Sequence, residues 1–154
     1  MIATTSPRMV RSLDRAHGER LMGTARQVNI PAGTRVFEEG GHADRFWIVR
    51  TGTVALDMHI PGRRPAVIET LGFGELVGWS WLFNPYVWQL GAQAMTLVRA
   101  YEFDAAQVRA LCEGDADFGR DVDHWVGEVL AHRLHAARTR LLDLYAPHGS
   151  GLSR

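Results

Sequence analysis

Hydrophobic and polar positions along the chain change their period twice. In residues 8–24, Leu13, Ala16 and Leu21 share one helical face and Gly23 marks an end, which predicts a short helix. From residue 25 to residue 104, short apolar runs of strand-forming residues alternate with glycine-containing turns. The predicted strands cover residues 28–30, 35–38, 46–50, 54–60, 66–71, 90–95 and 98–103. Such regularly spaced short strands are typical of an antiparallel sandwich or jelly-roll barrel.

After residue 104 the helical period returns. Asp104 is predicted to cap a short helix over residues 105–112, and Asp117 a long helix that runs to about residue 145. The apolar positions of the long helix lie three and four residues apart, at Phe118, Val122, Val126, Val129, Leu130, Leu134, Ala137, Leu141 and Leu144. Pro147, Gly149 and Gly151 are expected to end it.

These patterns divide the chain into four parts. They predict an N-terminal tail over residues 1–11, a barrel domain over 12–116, a long helix of the same domain over 117–145 and a flexible tail over 146–154. The length of 154 residues suits one domain with its own core.

Charge and composition narrow the function. Basic and acidic residues number 17 each, so the chain has no basic excess of the kind that non-specific nucleic-acid binding needs. Cys112 is the single cysteine and cannot form an internal disulfide, which fits a reducing compartment. No apolar run is long enough for a transmembrane helix, and no apolar segment follows Arg8 and Arg11 as in a signal peptide. We therefore expect a cytoplasmic protein without a membrane partner.

Two segments together carry a family resemblance. Residues 30–54 read IPAGTRVFEEGGHADRFWIVRTGTV, with Gly33, Gly40 and Gly52 at turns, and residues 71–76 read LGFGEL. In this order and separation they resemble the cyclic-nucleotide-binding domain of the catabolite-activator and protein-kinase-A regulatory families, over about residues 12–145. The resemblance implies a mainly β fold with flanking helices: an antiparallel jelly-roll barrel with a short N-terminal helix and a long C-terminal helix.

The resemblance also implies a ligand site at Gly74, Glu75 and Leu76. In the family, a short helix after this motif points its amides at the cyclic phosphate, the glutamate accepts from the ribose 2′-hydroxyl, and an arginine about ten residues later pairs with the phosphate. Here that place falls at Tyr86 or Val87.

No arginine or lysine lies between Glu75 and Val98. A charge-assisted contact to phosphate contributes roughly 1.5–3 kcal/mol, so its loss predicts cyclic-nucleotide binding weaker by about two orders of magnitude. Arg63 and Arg64 lie at a predicted hairpin tip, and Arg99 is expected to face outward from its strand. We do not expect any of the three to replace the missing arginine.

Five aromatic residues follow the motif, and they leave two functions open: Trp79, Trp81, Phe83, Tyr86 and Trp88. In the first, the protein is a regulatory ligand-sensing domain with weakened or altered binding of cyclic AMP, cyclic GMP or another small anion. Tyr86, Val87 and Trp88 then roof the pocket. In the second, it is a pseudo-sensor whose own aromatics fill the pocket and which serves as a dimerisation or protein-docking module. Core packing is the favoured interpretation of Trp79 and Trp81.

Catalytic, metal and DNA functions find less support in the sequence. Glu38 and Glu39 have no Ser–His or Cys–His partner, and His132 and His135 lack the further ligands of a zinc site, so we expect no enzyme, cofactor or metal. The apolar stripe of the long helix, with Arg133, Arg138 and Arg140 on a basic flank, predicts a homodimer. DNA-binding members of the family carry a winged helix after this helix. Only about nine residues follow Tyr145, so we expect no direct DNA binding.

Overall fold

Two four-stranded antiparallel sheets form a jelly roll, which confirms the predicted fold class. The computed structural model describes residues 13–152. One sheet has the strand order β1-β8-β3-β6 and the other β2-β7-β4-β5. The strands are β1 (Arg26–Ile30), β2 (Arg35–Phe37), β3 (Arg45–Thr51), β4 (Val54–Met58), β5 (Ala66–Leu71), β6 (Leu76–Val77), β7 (Gly91–Ala94) and β8 (Val98–Asp104). Of these, the two-residue β6 was not predicted.

The core contains large aromatic and aliphatic side chains from both the strands and the helices. Its largest members with no exposed surface are Trp81, Trp125, Phe46, Phe103 and Phe118. Phe46 of β3 stacks on Phe103 of β8 with ring centroids 4.6 Å apart. Fully buried aromatic rings of this size are a large part of the hydrophobic stabilisation.

In the part of the chain that the structure describes, three α-helices flank the sheets: α1 (Arg15–Met22), α2 (Ala105–Gly114) and α3 (Ala116–Leu152). Helix α1 is followed by Gly23 as predicted, while residues 8–12 of the predicted helix lie outside the described residues. The carboxylate of Asp104 caps α2 as predicted, by accepting from the Gln107 N–H at 3.2 Å. None of the helices within residues 13–152 combines the length and apolar character needed to cross a membrane.

The bounds of α3 differ from the prediction at both ends. Asp115 rather than Asp117 caps it, because the Asp115 carboxylate accepts from the N–H groups of Asp117 and Phe118 at 3.1 and 3.2 Å. The helix then runs through Pro147 to Leu152. A proline removes one backbone hydrogen bond, which here does not end the helix.

The first turns of α3 fasten it to the barrel and to α1. Phe118, Val122, Trp125 and Val126 are fully buried. The helix passes beside the turn after β5, where Arg133 reaches the carbonyl of Leu76. This placement brings a charged side chain from the helix to the predicted ligand site.

Candidate functional site

The predicted site begins at the turn between β5 and β6. Gly74 has a φ of +80°, which favours glycine, and its N–H donates to the Val49 carbonyl at 2.8 Å. The Glu75 N–H donates to the Gly72 carbonyl at 3.0 Å, and the Glu75 carboxylate accepts from the Gly72 N–H at 3.2 Å. The N–H groups of Gly74 and Glu75 therefore bond within the protein.

We call residues 72–90 the cassette. After β6 it contains a 3₁₀ helix, Ser80–Leu82, whose middle residue Trp81 is fully buried. The Trp81 ring stacks on Phe46 with centroids 3.9 Å apart, and its Nε1 donates to the Gly78 carbonyl at 3.0 Å. Trp81 completes the core as predicted. Trp79 is half-buried and meets Phe83 edge to face.

Trp88 fills the inside of the cassette. Only 5% of this residue is exposed, and its ring stacks on Phe37 with centroids 3.9 Å apart. Gly78 has a φ of +96°, and a Cβ built on it would lie 2.6 Å from Cη2 of Trp88. The indole thus occupies space that exists only because residue 78 has no side chain.

A small cavity remains beside Trp88. Its volume is about 30 Å³, against roughly 300–1,000 Å³ for pockets that hold small-molecule ligands. It is lined by Phe37, Leu56, Gly78, Trp79, Ser80, Trp88, Gln89, Leu90 and Arg133. This space suits one or two water molecules and does not admit a nucleotide.

Tyr86 and Val87, which were predicted to roof the pocket, are not among the residues that line this cavity. The Tyr86 ring is 4.2 Å from the guanidinium carbon of Arg109, on α2. Arg109 also donates to the Trp81 carbonyl at 2.7 Å, and Val87 forms an isolated bridge with His42. Of the six predicted ligand residues, Gly74 and Glu75 lie in the turn, Leu76 begins β6 and Trp88 lines the cavity, while Tyr86 and Val87 pack elsewhere.

Arg133, which the sequence groups with Arg138 and Arg140 on a basic flank, faces the cassette. Its Nη2 donates to the Leu76 carbonyl, and its side chain lines the cavity. Burial lowers the pKa of Arg133, while the charges of Glu69 and Glu75 act in the opposite direction. The signal was present in the spacing, because Arg133 falls three residues after Leu130 and seven after Val126, on the buried stripe.

The other cations considered from the sequence are elsewhere. Arg63, Arg64 and Arg99 are all exposed, as predicted. A larger groove of about 480 Å³ lies at the start of α2, but its buried carboxylate Glu102 is already paired with Arg26 at 2.6 Å. Within the described residues, no group of three or more His, Cys, Asp or Glu side chains is placed to hold a metal ion.

Cys112 has the properties of a buried apolar residue rather than of a nucleophile. It is half-buried in α2, and burial raises the pKa of its thiol to about 11. The thiolate that nucleophilic chemistry requires is therefore scarce at neutral pH.

The structure is thus a jelly roll with a glycine-containing turn after its fifth strand and a long helix beside that turn. The family model described as the cyclic nucleotide-binding domain matches residues 27–115, more than half of the chain. The chain belongs to this family.

Relatives and solved structures agree with this assignment. The chain is 28% identical over 117 residues to a protein of Mycobacterium tuberculosis named "CRP-like cAMP-activated global transcriptional regulator", covering 76% of this chain and 50% of the relative. The chain thus spans about half the length of the curated relatives it matches.

Among solved structures, a cyclic nucleotide-binding domain from Methylobacillus flagellatus is similar with a TM-score of 0.79 and 16% identity, over 90% of this chain and 82% of that one. The Catabolite Activator Protein of Thermus thermophilus is similar with a TM-score of 0.71 and 22% identity, over 90% and 62% of the two chains. These likenesses concern the fold.

Proposed function

We propose that this protein is a regulatory module whose cyclic-nucleotide cassette is filled by its own side chains. The observation that carries the proposal is Trp88, which packs against Gly78 and leaves a cavity of about 30 Å³. Of the two functions left open by the sequence, the packing supports the pseudo-sensor. Such a protein acts by binding another chain rather than by catalysis.

Charge supports the same conclusion. No cation lies between Glu75 and Val98 in the sequence, and Glu69 and Glu75 lie near the one guanidinium that lines the cavity. A cyclic phosphate brought there meets a single arginine that already donates to a carbonyl, and the negative charges of Glu69 and Glu75 oppose it. Unpaired like charges weaken binding.

Opening the cassette for a nucleotide has a further free-energy cost. Removing a fully buried Trp or Phe side chain from a core costs about 3–5 kcal/mol of folding free energy. This range is an upper bound for the free-energy cost of displacing Trp88. A ligand that binds only the opened state loses affinity in proportion to the small population of that state. With the missing arginine, we expect cyclic AMP and cyclic GMP to bind no tighter than about millimolar.

We further propose that the partner of the module is a second copy. Beyond the barrel, α3 exposes Leu134, Leu141 and Leu144 by 58%, 53% and 69% in the single chain. Together with Leu130 and Ala137 these residues alternate steps of four and three, which is the heptad pattern of a two-stranded coiled coil. We place this homodimer in the cytoplasm, without direct contact to DNA.

The second candidate function is a cyclic-AMP sensor of reduced affinity. It is favoured by the 28% identity to a relative whose name states that it is cAMP-activated. The weakened site predicted from the sequence would then open by movement of Trp88.

A ligand titration separates the two functions. We expect no saturable change in intrinsic tryptophan fluorescence or melting temperature when cyclic AMP or cyclic GMP is added to millimolar concentration. A sensor with micromolar affinity would instead gain about 2.7 kcal/mol at a hundredfold excess over its dissociation constant, visible as a rise of several degrees. Such a rise would overturn the pseudo-sensor. Trp88→Arg, which removes the indole and adds a guanidinium, is the variant expected to gain nucleotide binding.

A further inference from the structure

Arg133 of α3 is a half-buried cation at the cassette, and its role there rests on the filled cassette of the proposed function. It contacts the cassette through a backbone carbonyl, that of Leu76, 57 residues earlier in the chain. The charges of Glu69 on β5 and Glu75 in the turn favour its protonated form. The remaining residues that line the cavity are uncharged, including Ser80 and Gln89.

The groups around Arg133 match one kind of ligand. Carbonyl and carboxylate oxygens accept hydrogen bonds at neutral pH, and so does a phosphate diester, which therefore finds no donor in them. A ligand that donates hydrogen bonds fits these groups better. A guanidinium has five donors in a planar fork and a weakly hydrated positive charge, so it suits a half-buried place where a carbonyl oxygen accepts from it and two carboxylate charges favour it. An ammonium lacks the fork and is more strongly hydrated.

We propose that the cassette is a guanidinium-binding site, which Arg133 of the same chain occupies as a tethered ligand. The site takes an arginine-type cation in place of the phosphate anion that the family resemblance implies. Its occupancy fixes α3 against the turn between β5 and β6. Because the tether gives the ligand a high effective concentration, added guanidinium compounds do not displace it from the wild-type protein.

Chemical rescue of Arg133→Ala tests this proposal. We expect the variant to melt about 3–6 °C below wild type, because a half-buried hydrogen bond from a charged donor is lost. Ethylguanidinium chloride at about 20 mM, far below denaturing concentrations, should restore part of the difference. Ethylammonium chloride and sodium chloride at the same concentration should restore none of it.

Three further variants make the result specific. Arg120→Ala is the matched control, since Arg120 lies on the same helix, is 75% exposed and pairs only locally with Asp117. It should show neither the loss nor the rescue. Arg133→Lys, which keeps the charge and folds even if the alanine variant does not, should remain below wild type in melting temperature. Adding Glu69→Gln to Arg133→Ala should reduce the rescue.

Two results would overturn the proposal in different ways. If no cation rescues Arg133→Ala selectively, or if Arg133→Lys equals wild type, the site does not recognise a guanidinium, yet a failed nucleotide titration would still support the filled cassette. If inorganic phosphate or cyclic AMP stabilises wild type and Arg133→Ala abolishes this effect, Arg133 binds an anion. In that case both the guanidinium site and the pseudo-sensor are wrong.

Discussion

Gly78 and Trp88 share a space that admits only a hydrogen atom on residue 78. We predict that Gly78→Ala destabilises the protein by about 2–5 kcal/mol, because it combines an unfavourable positive φ with overpacking against the indole. A Cβ there would lie 2.6 and 2.7 Å from two carbons of the Trp88 ring. Urea unfolding followed by tryptophan fluorescence measures the change.

Gly62→Ala is the matched control for the cost of placing alanine at a positive φ. Gly62 has a φ of +77°, and a Cβ on it would meet nothing within 4 Å. The Gly62→Ala variant should lose only the stability that the positive φ costs, about 1–2 kcal/mol. Adding Trp88→Phe to Gly78→Ala should recover stability relative to the sum of the two single variants. Equal losses at Gly62 and Gly78 would mean that Trp88 does not fill this space.

Single residues also mark the limit of what the sequence could predict about the site. The turn at Gly74 and Glu75 was predictable because a glycine and its neighbours determine local backbone geometry. The burial of Trp88 stayed open, since an aromatic residue can either fill a pocket or line one. The contact of Arg133 with Leu76 joins residues far apart in the chain, and periodicity assigns a helix face without naming what that face touches.

At the scale of elements, α1 is joined to the start of α3 by an ion pair. His17 Nδ1 and Asp121 Oδ2 are 2.6 Å apart, and the His17 ring meets Phe118 edge to face. The hydrogen bond with Asp121 raises the pKa of His17, with smaller contributions from Asp14 and Asp115. The same bond lowers the pKa of Asp121.

These shifts determine how the stability of the pair depends on pH. Because the pKa of His17 is raised in the folded state, the pair is fully stabilising at a pH below the ordinary histidine pKa of about 6.5. This stabilisation is lost as the pH rises through the pKa of the folded state. Because the pKa of Asp121 is lowered in the folded state, the pair is fully stabilising at a pH above the ordinary aspartate pKa of about 3.9. This stabilisation is lost as the pH falls through the pKa of the folded state. We predict that His17→Gln lowers the melting temperature most between about pH 4 and 6.5 and least above pH 8.

The exposed His59 provides the comparison for that measurement. His59→Gln should leave the pH profile of the melting temperature close to that of wild type. A His17→Gln difference that is the same at every pH would show that packing on Phe118, rather than charge, accounts for the role of His17.

Element boundaries followed the sequence closely where local signals were strong. Strand β5 occupies the predicted residues, because glycine-containing turns bound its short run of strand-forming residues on both sides. The start of α3 was displaced by two residues, since Asp115 and Asp117 are equally good caps and only the fold decides between them. The two-residue β6 carries too short a pattern to be seen without its partner β3.

At the scale of the whole molecule, the proposed dimer places the outer half of α3 against a second copy. We predict that Leu141→Asp weakens self-association by at least about 100-fold, because an unpaired carboxylate would enter an apolar seam in both chains. Sedimentation at a series of protein concentrations measures the dissociation constant.

Val67→Asp tests whether any loss of exposed apolar surface has the same effect. Val67 is 56% exposed on β5 and lies outside the stripe. It should leave association unchanged. Identical sedimentation of wild type and Leu141→Asp at every concentration would contradict a dimer formed through α3.

The whole fold was more predictable than its site. The signals that predict the fold are distributed over most of the chain: the regular strand spacing and the segments 30–54 and 71–76. Errors of one or two residues in the strand bounds therefore do not alter the predicted jelly roll. The site depends on a few side-chain positions, and there an indole and a guanidinium from another element decide what fits.

Arginine contacts on both sides of the loop between β6 and β7 affect how readily this loop opens. Arg133 fastens Leu76 to α3, and Arg109 fastens Trp81 and Tyr86 to α2. The loop between β6 and β7 is therefore part of the same cooperative unit as the two helices. In deuterated solvent, its buried amides should exchange at rates close to those of α2, rather than at the rapid rates of an unanchored surface loop.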